Sequence, residues 1–314
     1  FEYDGSSWTT GGTANKARRL VSGNGTQTAA IAAGGFNNPD SPQSLNNSES
    51  YDGSTWTATN TLNVTGFNTT GAGAGTQTAN IIVTRTPSSP TNGQVSEWDG
   101  TNWTSGTSLN TARGDVGLDG IQTNALVFGG ITPTKSNATE QWDGSTWNTS
   151  SNMSTARSNL AGSGGTNASY AALAAGGSIG TGVTNVTEEY FSDIANYDPS
   201  SEDAWASGGN MSQPRVQTYG AGSQTAGLAF GGEAPPGEIS ATEEYNGTSW
   251  SGGGALPATA KDHGGFGIQT AAVSCGGPPP STSSNNYNGS SWTASGTMNV
   301  ARQNFGGTGT QTAG

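Results

Sequence analysis

The sequence is poor in the residues that most often build metal and catalytic centres. Its 314 residues include one cysteine, Cys275, and one histidine, His263. A single cysteine excludes an internal disulfide and a cysteine-based zinc site, and a single histidine excludes any centre that needs several histidines. We therefore expect neither a metal site nor another cofactor.

Charge and long apolar runs are also scarce. Ten Lys+Arg residues stand against 22 Asp+Glu, the net charge is −12, and only 10 % of the residues are charged. Such a chain is a poor electrostatic binder of nucleic acid, so no nucleic-acid partner is expected. No apolar run reaches the roughly 18 residues of a membrane-spanning helix, so no membrane insertion is expected. The chain begins Phe-Glu-Tyr-Asp without a Met-led signal segment, which indicates processing or excision from a longer protein.

Glycine and aromatic residues, by contrast, are plentiful. The chain has 51 Gly, nine Trp, eight Tyr and eight Phe. The chain has few large aliphatic residues, which is typical of disordered proteins. Disorder, however, also requires a high net charge and few aromatic residues, and this chain has neither. The mixture therefore favours many thin, closely packed strands.

The aromatic residues belong to a repeat, Glu-x-Tyr/Trp-Asp/Asn-Gly-x-x-Trp, which is clear at Glu140–Trp147. Asp-Gly or Asn-Gly between two strand-like segments predicts a two-residue hairpin, because its type I′ turn requires positive φ. A degraded copy runs from Glu189 to Trp205 around an insertion. The last Trp of the seven copies lies at positions 8, 56, 103, 147, 205, 250 and 292.

A second unit lies between these copies: Ala-Arg, a glycine-rich stretch, Gln-Thr-Ala, a short apolar run and Gly-Gly, clearest at Ala112–Gly130. Together the two units predict four short strands per period. The glycine-rich strand is expected innermost, because small residues let backbones approach closely around an axis. Seven periods predict an all-β protein, a seven-bladed β-propeller with four antiparallel strands per blade.

The register of the repeat predicts how this ring closes. The chain begins at a third strand and stops just inside a second strand. The N-terminal outer strands, from Phe1–Thr10, are therefore expected to join C-terminal inner strands from Ala301–Gly314 in one blade, which removes open edges. We expect residues 1–314 to form a single propeller domain. Because the last copy lacks its Gly-Gly half, this domain is expected to be part of a longer chain.

Gly-Gly, then Tyr-Asp, then Trp, with Pro/Ala-Arg before the first strand, resembles the kelch repeat of kelch and galactose-oxidase-type propellers over essentially the whole chain. The Gln-Thr-Ala corners and Tyr-Asp-Gly-Ser-Thr-Trp hairpins are similar to kelch-like arrays in structural proteins of marine bacteriophages. Two copies depart from the pattern. The second has Val83-Thr84-Arg85 in place of Gly-Gly, and the sixth has Lys261-Asp262 in place of Ala-Arg.

The resemblance raises two enzymatic alternatives. Galactose oxidase implies a copper with Tyr and His ligands and a Tyr–Cys cross-link, which one histidine excludes; Cys275 aligns with Phe128 and Phe230 and is predicted to be a buried small hydrophobe. A sialidase-like or other glycan-active enzyme is the second alternative, because Gly53–Trp56 resembles the end of an Asp-box. In this chain, however, the aspartate directly precedes the glycine instead of standing two residues before it. The motif also recurs in nearly every copy, as a structural hairpin does. An enzyme of this kind needs two convergent carboxylates or an arginine cluster, and we predict that the chain is not an enzyme.

Five arginines at the start of first strands are the candidate ligand-binding residues. By symmetry they would form a partial ring near one mouth of the channel, where their planar donors suit an anion or a glycan. Alternatively, each serves its own blade by capping loop carbonyls or by pairing with a third-strand glutamate (Glu2, Glu49, Glu97, Glu140 or Glu244). The five are Arg18, Arg113, Arg157, Arg215 and Arg302.

Calcium requires several oxygen ligands from one loop, so single Asp residues at hairpin tips indicate turns. The acidic insertion, with Asp193, Asp198, Glu202 and Asp203, leaves a calcium site there as an alternative. The lone His263, which replaces a small residue, is interpreted as structural.

The loops that follow Gly-Gly differ between copies and share one face by symmetry. Because binding usually lies on loops held by a rigid scaffold, these loops and the insertion Phe191–Ala204 are the predicted partner surface. We hypothesise a non-enzymatic binding or structural propeller of a virion (tail or capsid surface) or of the extracellular space, with protein or cell-surface glycan partners in a larger assembly. A kelch adaptor, which would need companion domains, is a third hypothesis. The loops are Phe36–Ser48, Thr86–Ser96, Ile131–Ala138, Ser178–Thr187, Glu233–Ala241 and Pro278–Asn285.

Overall fold

The computed structural model describes residues 1–37, 45–64, 73–86, 89–163, 171–192, 204–305, 307 and 309–314. These residues form thirty short strands, and every strand pairing among them is antiparallel. The two N-terminal strands, β1 (Glu2–Tyr3) and β2 (Trp8–Thr9), form a hairpin. Within the described ranges, no helix is long and apolar enough to cross a membrane.

The other strands build six four-stranded sheets, which follow one another along the chain and are called blades 1 to 6. Blade 1 contains β3 (Ser22–Thr26), β4 (Ala29–Ala33), β5 (Ser48–Tyr51) and β6 (Trp56–Ala58). Blade 2 contains β7 (Gly73–Gly75), β8 (Asn80–Thr86), β9 (Ser89–Trp98) and β10 (Trp103–Ser105). Blade 3 contains β11 (Gly117–Ile121), β12 (Asn124–Phe128), β13 (Thr139–Trp142) and β14 (Trp147–Ser150).

Blades 4 and 5 each carry an extra hairpin between their second and third strands. Blade 4 runs β15 (Ala161–Ser163), β16 (Ala171–Ala175), hairpin β17 (Ser178–Ile179) and β18 (Gly182–Val183), β19 (Thr187–Phe191) and β20 (Ala204–Ser207). Blade 5 runs β21 (Tyr219–Ser223), β22 (Ala226–Phe230), hairpin β23 (Glu233–Ala234) and β24 (Gly237–Glu238), β25 (Thr242–Tyr245) and β26 (Trp250–Gly252). Blade 6 contains β27 (Gly264–Ile268), β28 (Ala271–Cys275), β29 (Ser284–Tyr287) and β30 (Trp292–Ala294).

The first strands of the six blades are the inner ones, and each contacts the first strand of the next blade. This arrangement explains the glycine-rich sequence of that strand, as predicted. At Gly25, for example, φ is +127° and a Cβ atom would lie 2.2 Å from the carbonyl oxygen of Ala29. No side chain can occupy that space, so the strand must carry glycine there.

The aromatic repeat forms the outer half of each blade. The third strand ends in Tyr or Trp, and this ring packs on the Trp after the hairpin with centroids 4.9 to 5.3 Å apart in all seven copies. Such tilted contacts add to the stabilisation from burial. The predicted position of the Trp as the first residue of the fourth strand is confirmed except in blade 4, where β20 begins one residue earlier, at Ala204.

The glutamine of the Gln-Thr corner links neighbouring blades. Its Nε2 donates a hydrogen bond to the backbone carbonyl of the third-strand aromatic residue of the preceding blade, for example from Gln122 to Trp98 (2.5 Å) and from Gln224 to Tyr190 (2.9 Å). Gln77, Gln269 and Gln311 make the same contact. This interblade role explains why the Gln recurs, which the sequence pattern alone did not reveal.

The prediction of seven complete blades differs from what the described residues form, namely six complete blades and the β1–β2 hairpin. Residues 301–314 contribute isolated bridges rather than full strands among the described positions. Tyr3 and Gly314 nevertheless exchange two backbone hydrogen bonds, of 2.8 and 3.1 Å. Gln27 also donates to the carbonyl of Tyr3 (3.0 Å), as the other corner glutamines do between blades.

Both departures from the repeat have a structural account. In five blades the Gly-Gly pair ends the second strand with φ of +63 to +72° and then +102 to +112°. Thr84 and Arg85 replace that pair in blade 2. Because a β-branched residue such as Thr84 does not adopt such angles, β8 and β9 continue as one longer hairpin. The residue two positions after each of the five arginines has a left-handed φ, as Asp115 has after Arg113. In blade 6 the residue with this φ is Asp262. Ala260, not Lys261, therefore occupies the arginine position there.

Candidate functional site

Antiparallel strands divide the connections of each blade between two faces. Connections from strand one to two and from three to four leave one edge, which we call the hairpin face. Connections from strand two to three, and from strand four to the next blade, leave the opposite edge, which we call the loop face. The predicted partner loops lie on the loop face. The flanking ends of β19 and β20 point to the hairpin face, and residues 193–203 of the predicted insertion lie outside the described residues.

The hairpin face is built from turns stabilised by an aspartate or asparagine side chain. Asp52 Oδ1 accepts hydrogen bonds from the backbone N–H groups of Ser54 and Thr55, both at 2.8 Å. These bonds hold the pKa of the Asp52 carboxyl well below its usual range. The hydroxyl of Ser54 also donates to Oδ1 (2.9 Å) and that of Thr55 to Oδ2 (3.0 Å), which is the turn role predicted from the sequence.

Four of the five candidate arginines lie inside their blades. Arg113 is completely buried; its guanidinium pairs with Glu140 and donates to the carbonyls of Gly129 and Thr111, both at 3.0 Å. Arg157 pairs with Glu188 at 3.0 Å in the same way. Arg18 pairs with Glu49, and Arg215 with Glu243. Burial lowers the pKa of these arginines, that of Arg157 to about 10, which leaves them charged at neutral pH.

These contacts correspond to the second interpretation of the arginine set, in which each residue serves its own blade. The structure does not gather the four guanidinium groups around a shared opening, because carbonyls of their own blade enclose each one. The ligand-binding role of the set stays a prediction, and a ligand would have to displace a glutamate to reach a buried member. Arg302 differs: it is exposed and lies 4.7 Å from the ring centroid of Phe1.

The predicted set of glutamate partners is only partly confirmed. Of the five glutamates named, Glu49 and Glu140 pair with an arginine. Arg157 and Arg215 pair instead with Glu188 and Glu243, which were not named. Glu244 accepts from the hydroxyl of Tyr287 in the next blade. Successive residues of a strand point to opposite faces of the sheet. The first Glu therefore faces its own arginine, and the second faces the neighbouring blade, as Glu189 does toward Tyr245.

The remaining basic residues all occupy loop-face segments. Arg85 pairs with Asp115 at 2.7 Å, and Lys135 Nζ lies 2.7 Å from Ser158 Oγ. No basic residue lies in a described connection of the hairpin face, so these basic residues are confined to the loop face. Sequence analysis missed this asymmetry, although the position of each basic residue relative to the Gly-Gly and Ala-Arg landmarks carried the signal. The six residues are Lys16, Arg19, Arg85, Lys135, Lys261 and Arg302.

The densest group of charges on the loop face lies between blades 5 and 6. We call this group the rim cluster, and it consists of Gln217, Glu233, Glu238, Lys261 and Asp262. Lys261 Nζ lies 2.6 Å from a carboxylate oxygen of Glu233 and 3.8 Å from one of Glu238, which face each other across the β23–β24 hairpin. Gln217 donates to Asp262 Oδ1 at 2.8 Å and so joins the two blades.

The electrostatics of the rim cluster follow from these contacts. The hydrogen bond to Glu233 raises the pKa of Lys261, so its ammonium group stays charged. Partial burial raises the pKa of Asp262. The cluster offers both donors and acceptors at a partly exposed surface, a combination that can bind sugar hydroxyls or the polar rim of a protein.

Below the rim cluster lies His263, which is completely buried. Its ring stacks on Tyr219 and Phe230, with centroid distances of 5.2 and 5.4 Å. Desolvation lowers its pKa to about 4, so the imidazole is neutral at physiological pH. Its position in an aromatic core agrees with the structural interpretation made from the sequence.

Cys275 is also buried, at the end of β28, as predicted from its alignment with Phe128 and Phe230. Burial raises the pKa of its thiol to about 12, so the thiol is protonated and unreactive at neutral pH. Among the described residues, no group of three or more His, Cys, Asp or Glu side chains could hold a metal ion. The acidic residues of the calcium alternative, at positions 193–203, lie outside the described ranges.

Comparisons with known proteins are consistent with this architecture. No protein-family model matches the chain, and no curated protein matches it. Among solved structures, 209 chains match. One of them, reported as the structure of YjhT, superposes with a TM-score of 0.57 over 79 % of this chain and 88 % of that chain. The chain is a β-propeller. At 14 % sequence identity, the likeness shows the fold of this propeller and nothing of its function.

Proposed function

We propose that this propeller is a non-enzymatic binding or structural module that contacts a protein or glycan partner through its loop face. The observation that carries the proposal is the division between repeated and irregular residues. The repeated Arg, Glu, Gln, Asp and Trp residues are used within blades or between them. The irregular elements lie on the loop face, namely the extended β8–β9 connection, the hairpins β17–β18 and β23–β24, and Pro278–Pro280.

A rigid ring that carries variable loops suits recognition rather than motion. The inner strands are fixed by their neighbours, and the corner glutamines connect successive blades. Residues on the loops are therefore held in place without taking part in the repeat. The rim cluster is the part of this face with the most polar groups in reach of a partner, so we assign it to the binding surface.

A glycan array compares the wild type with two variants. Lys261→Ala removes the ammonium group at the centre of the rim cluster, and Asp52→Asn is the matched control on the hairpin face, since blades 5 and 6 already carry Asn there. We expect wild-type and Asp52→Asn proteins to bind the same glycans and Lys261→Ala to lose at least about tenfold in affinity, the equivalent of one charge-assisted hydrogen bond. Equal losses in both variants would contradict a loop-face site.

We also infer that the ring closes through a seventh blade, whose outer strands are β1 and β2 and whose inner part comes from residues 301–314. Three contacts support this: the reciprocal Tyr3–Gly314 hydrogen bonds, Gln27 donating to Tyr3, and Gln311 donating to Tyr287 on the other side. Tyr3 is completely buried. Tyr3→Ala should therefore lower the free energy of unfolding by about 3–5 kcal/mol, whereas a detached N-terminal hairpin would leave it unchanged.

The relation to kelch repeats and the setting on a virion or in the extracellular space are part of the same proposal. The Gly-Gly pairs at the ends of second strands and the Tyr-Asp-Gly hairpins support the kelch-like relation. The few basic residues and the surface rich in Ser, Thr and Asn suit an exposed structural protein. A density map of whole virus particles, into which the propeller is fitted, tests the virion setting; a soluble, unassembled protein with turnover would contradict it.

The alternative is a glycan-active enzyme, and one observation favours it. Glu233 and Glu238 both lie within 4 Å of the Lys261 ammonium group on the loop face, and glycoside hydrolases use two neighbouring carboxylates. Release of reducing sugar by the wild type, lost in Glu233→Gln and in Glu238→Gln, would establish this alternative. We expect no release, because the Lys261 ammonium lies between the two carboxylates and all three side chains are partly exposed to solvent.

A further inference from the structure

The hairpin face carries two Asn-Gly pairs where four other copies of the repeat carry Asp-Gly. Asn246-Gly247 and Asn288-Gly289 begin the four-residue turns 246–249 and 288–291, both asparagines are exposed, and the glycines have φ of +87° and +88°. Asparagine followed by glycine is chemically labile, because no side chain on the glycine hinders its backbone nitrogen. The structure adds a second factor, which is the set of donors around the asparagine amide.

In both turns the side-chain amide oxygen is held by hydrogen-bond donors. Asn246 Oδ1 accepts from the backbone N–H groups of Thr248 (3.0 Å) and Ser249 (2.9 Å). The ring closed by the first of these bonds contains both Asn246 Cγ and the backbone nitrogen of Gly247, which keeps the two atoms close in space. Two N–H groups on one carbonyl oxygen also stabilise the negative charge that develops there when a nucleophile attacks the carbon.

Asn288 has the same two backbone donors and hydroxyl donors as well. Its Oδ1 accepts from the N–H and Oγ of Ser290, at 3.0 and 2.9 Å, and from the N–H and Oγ of Ser291, at 2.9 and 3.5 Å. The amide of Asn288 is therefore more strongly polarised than that of Asn246, to which only backbone donors bind.

We propose that Asn246 and Asn288 are sites of spontaneous deamidation, promoted by the turns that hold them. The following glycine nitrogen loses its proton to solvent and forms a bond to Cγ. The amide nitrogen takes up a proton and leaves as ammonia, which produces a five-membered succinimide. Water then opens the ring, to aspartate when it attacks the side-chain carbonyl or to isoaspartate when it attacks the backbone carbonyl.

The aspartate product fits the turn without rearrangement. Asp4 and Asp52 occupy the equivalent position and accept the same backbone hydrogen bonds at 2.8 Å. These bonds lower the pKa of both carboxyl groups, so an aspartate formed at residue 246 or 288 would also be ionised. Deamidation thus adds negative charge to a face whose described connections carry no basic residue.

The chain contains an internal control. Asn24-Gly25 has the same dipeptide sequence, but it lies within β3, where Asn24 pairs with Ile31 of β4. A fourth Asn-Gly pair, Asn92-Gly93, likewise lies within a strand, β9. Deamidation driven by the dipeptide alone would be equal at all four sites. Deamidation promoted by the turn would be fastest at Asn288, slower at Asn246 and slowest at Asn24.

The test is peptide mapping by mass spectrometry of the folded protein held at 37 °C in mildly alkaline buffer. Each event raises the peptide mass by about 1 Da, and isoaspartate is distinguished from aspartate by its elution. We expect the order Asn288, Asn246, Asn24, and a severalfold slower reaction at Asn288 in Ser290→Ala, which retains both backbone donors. In 8 M urea the three rates should converge.

Three results would overturn the proposal. The first is that deamidation at residues 246 and 288 is no faster than at Asn24 in the folded protein. The second is that the same rank order of deamidation rates persists in urea. The third is that Ser290→Ala leaves the deamidation rate at Asn288 unchanged. Circular dichroism of Ser290→Ala verifies that the variant is folded. A second variant, Asn288→Asp, verifies that the product is accommodated, since its urea midpoint should equal that of the wild type.

Discussion

His263 allows a quantitative prediction of how stability depends on pH. It is the single histidine of the chain, it is completely buried, and neither ring nitrogen has a hydrogen-bond partner among the described residues. Tyr219 and Phe230 of blade 5 stack on it, and Asp262 and Lys261 precede it in its own segment. A proton on this imidazole would place a charge in an aromatic environment, so the folded protein resists it.

The magnitude follows from the pKa in the two states. Burial lowers the pKa of His263 from 6.5 to about 4. Since each pKa unit corresponds to 1.36 kcal/mol, the difference is worth about 3 kcal/mol. Between pH 6.5 and 4 the unfolded chain binds a proton that the folded chain does not. The free energy of unfolding therefore falls by about this amount as the pH decreases through that window, and the contribution is constant below it.

Urea denaturation at pH 7, 6, 5 and 4.5 measures the effect, with His263→Phe as the comparison. Phe305 occupies the equivalent position after Arg302, so an aromatic hydrocarbon is already present at this register. We expect the variant to lack most of the pH-dependent loss between pH 6.5 and 4.5. It should also be more stable at pH 7 by about 1–2 kcal/mol, because it removes two unpaired buried nitrogens.

A second variant controls for a steric effect of the phenylalanine ring in His263→Phe. His263→Leu matches Leu160 of blade 4, which lies at the same register and is buried. Burial raises the pKa of Glu97, so the contribution of Glu97 to the free energy of unfolding falls as the pH rises, opposite to the effect of His263. Because Glu97 is present in the wild type and in both variants, its contribution cancels in the comparison. If both variants showed the same pH dependence as the wild type, the assignment to His263 would be refuted.

Three further predictions concern the scaffold, and urea midpoints measure each. Glu188→Gln leaves the buried Arg157 without its carboxylate and should cost about 3–5 kcal/mol, whereas the double variant Arg157→Met/Glu188→Leu should recover most of that loss; equal costs would contradict the pairing. Gly25→Ala should cost at least about 2 kcal/mol, while Gly252→Ala, where a Cβ meets nothing within 4 Å, should change stability by less than about 0.5 kcal/mol. Gln122→Ala removes the interblade hydrogen bond to the Trp98 carbonyl and should cost about 1 kcal/mol, and no change would exclude the interblade role of the corner glutamine.

Within the fold, the features that could be predicted are those fixed by local chemistry. Asp-Gly and Asn-Gly pairs mark the hairpin because few residues other than glycine adopt positive φ, and the Trp that follows starts the fourth strand in six copies. The predicted two-residue type I′ turn is wrong: residues 52–55 separate the paired strand ends Tyr51 and Trp56, and of the Asp-Gly pair Gly53 alone has positive φ. Alignment of Cys275 with Phe128 was sufficient to predict its burial, because equivalent strand positions face the same core. The β17–β18 and β23–β24 hairpins were not foreseen, since their residues do not belong to the repeat.

At the candidate site, the pairing of distant residues was harder to predict. The sequence contains two adjacent glutamates before Tyr245, and only the pleat decides that Glu243 binds Arg215 while Glu244 binds the Tyr287 hydroxyl. The rim cluster unites residues from two blades, and the sequence separates Gln217 from Asp262 by a whole repeat. Such contacts depend on how blades are placed around the axis, which no local pattern describes.

The scarcity of cysteine, histidine and basic residues, together with the period of the aromatic repeat, determined by itself that the chain is a propeller with a scaffold of polar, weakly charged strands. This was possible because turn preferences and strand alternation act over a few residues and recur in every copy. Tertiary structure alone decided which glutamate each arginine meets, which residues the rim cluster unites and how many blades are complete. Those properties arise from the relative placement of separate blades, and residues far apart in the sequence share no local rule that would fix it.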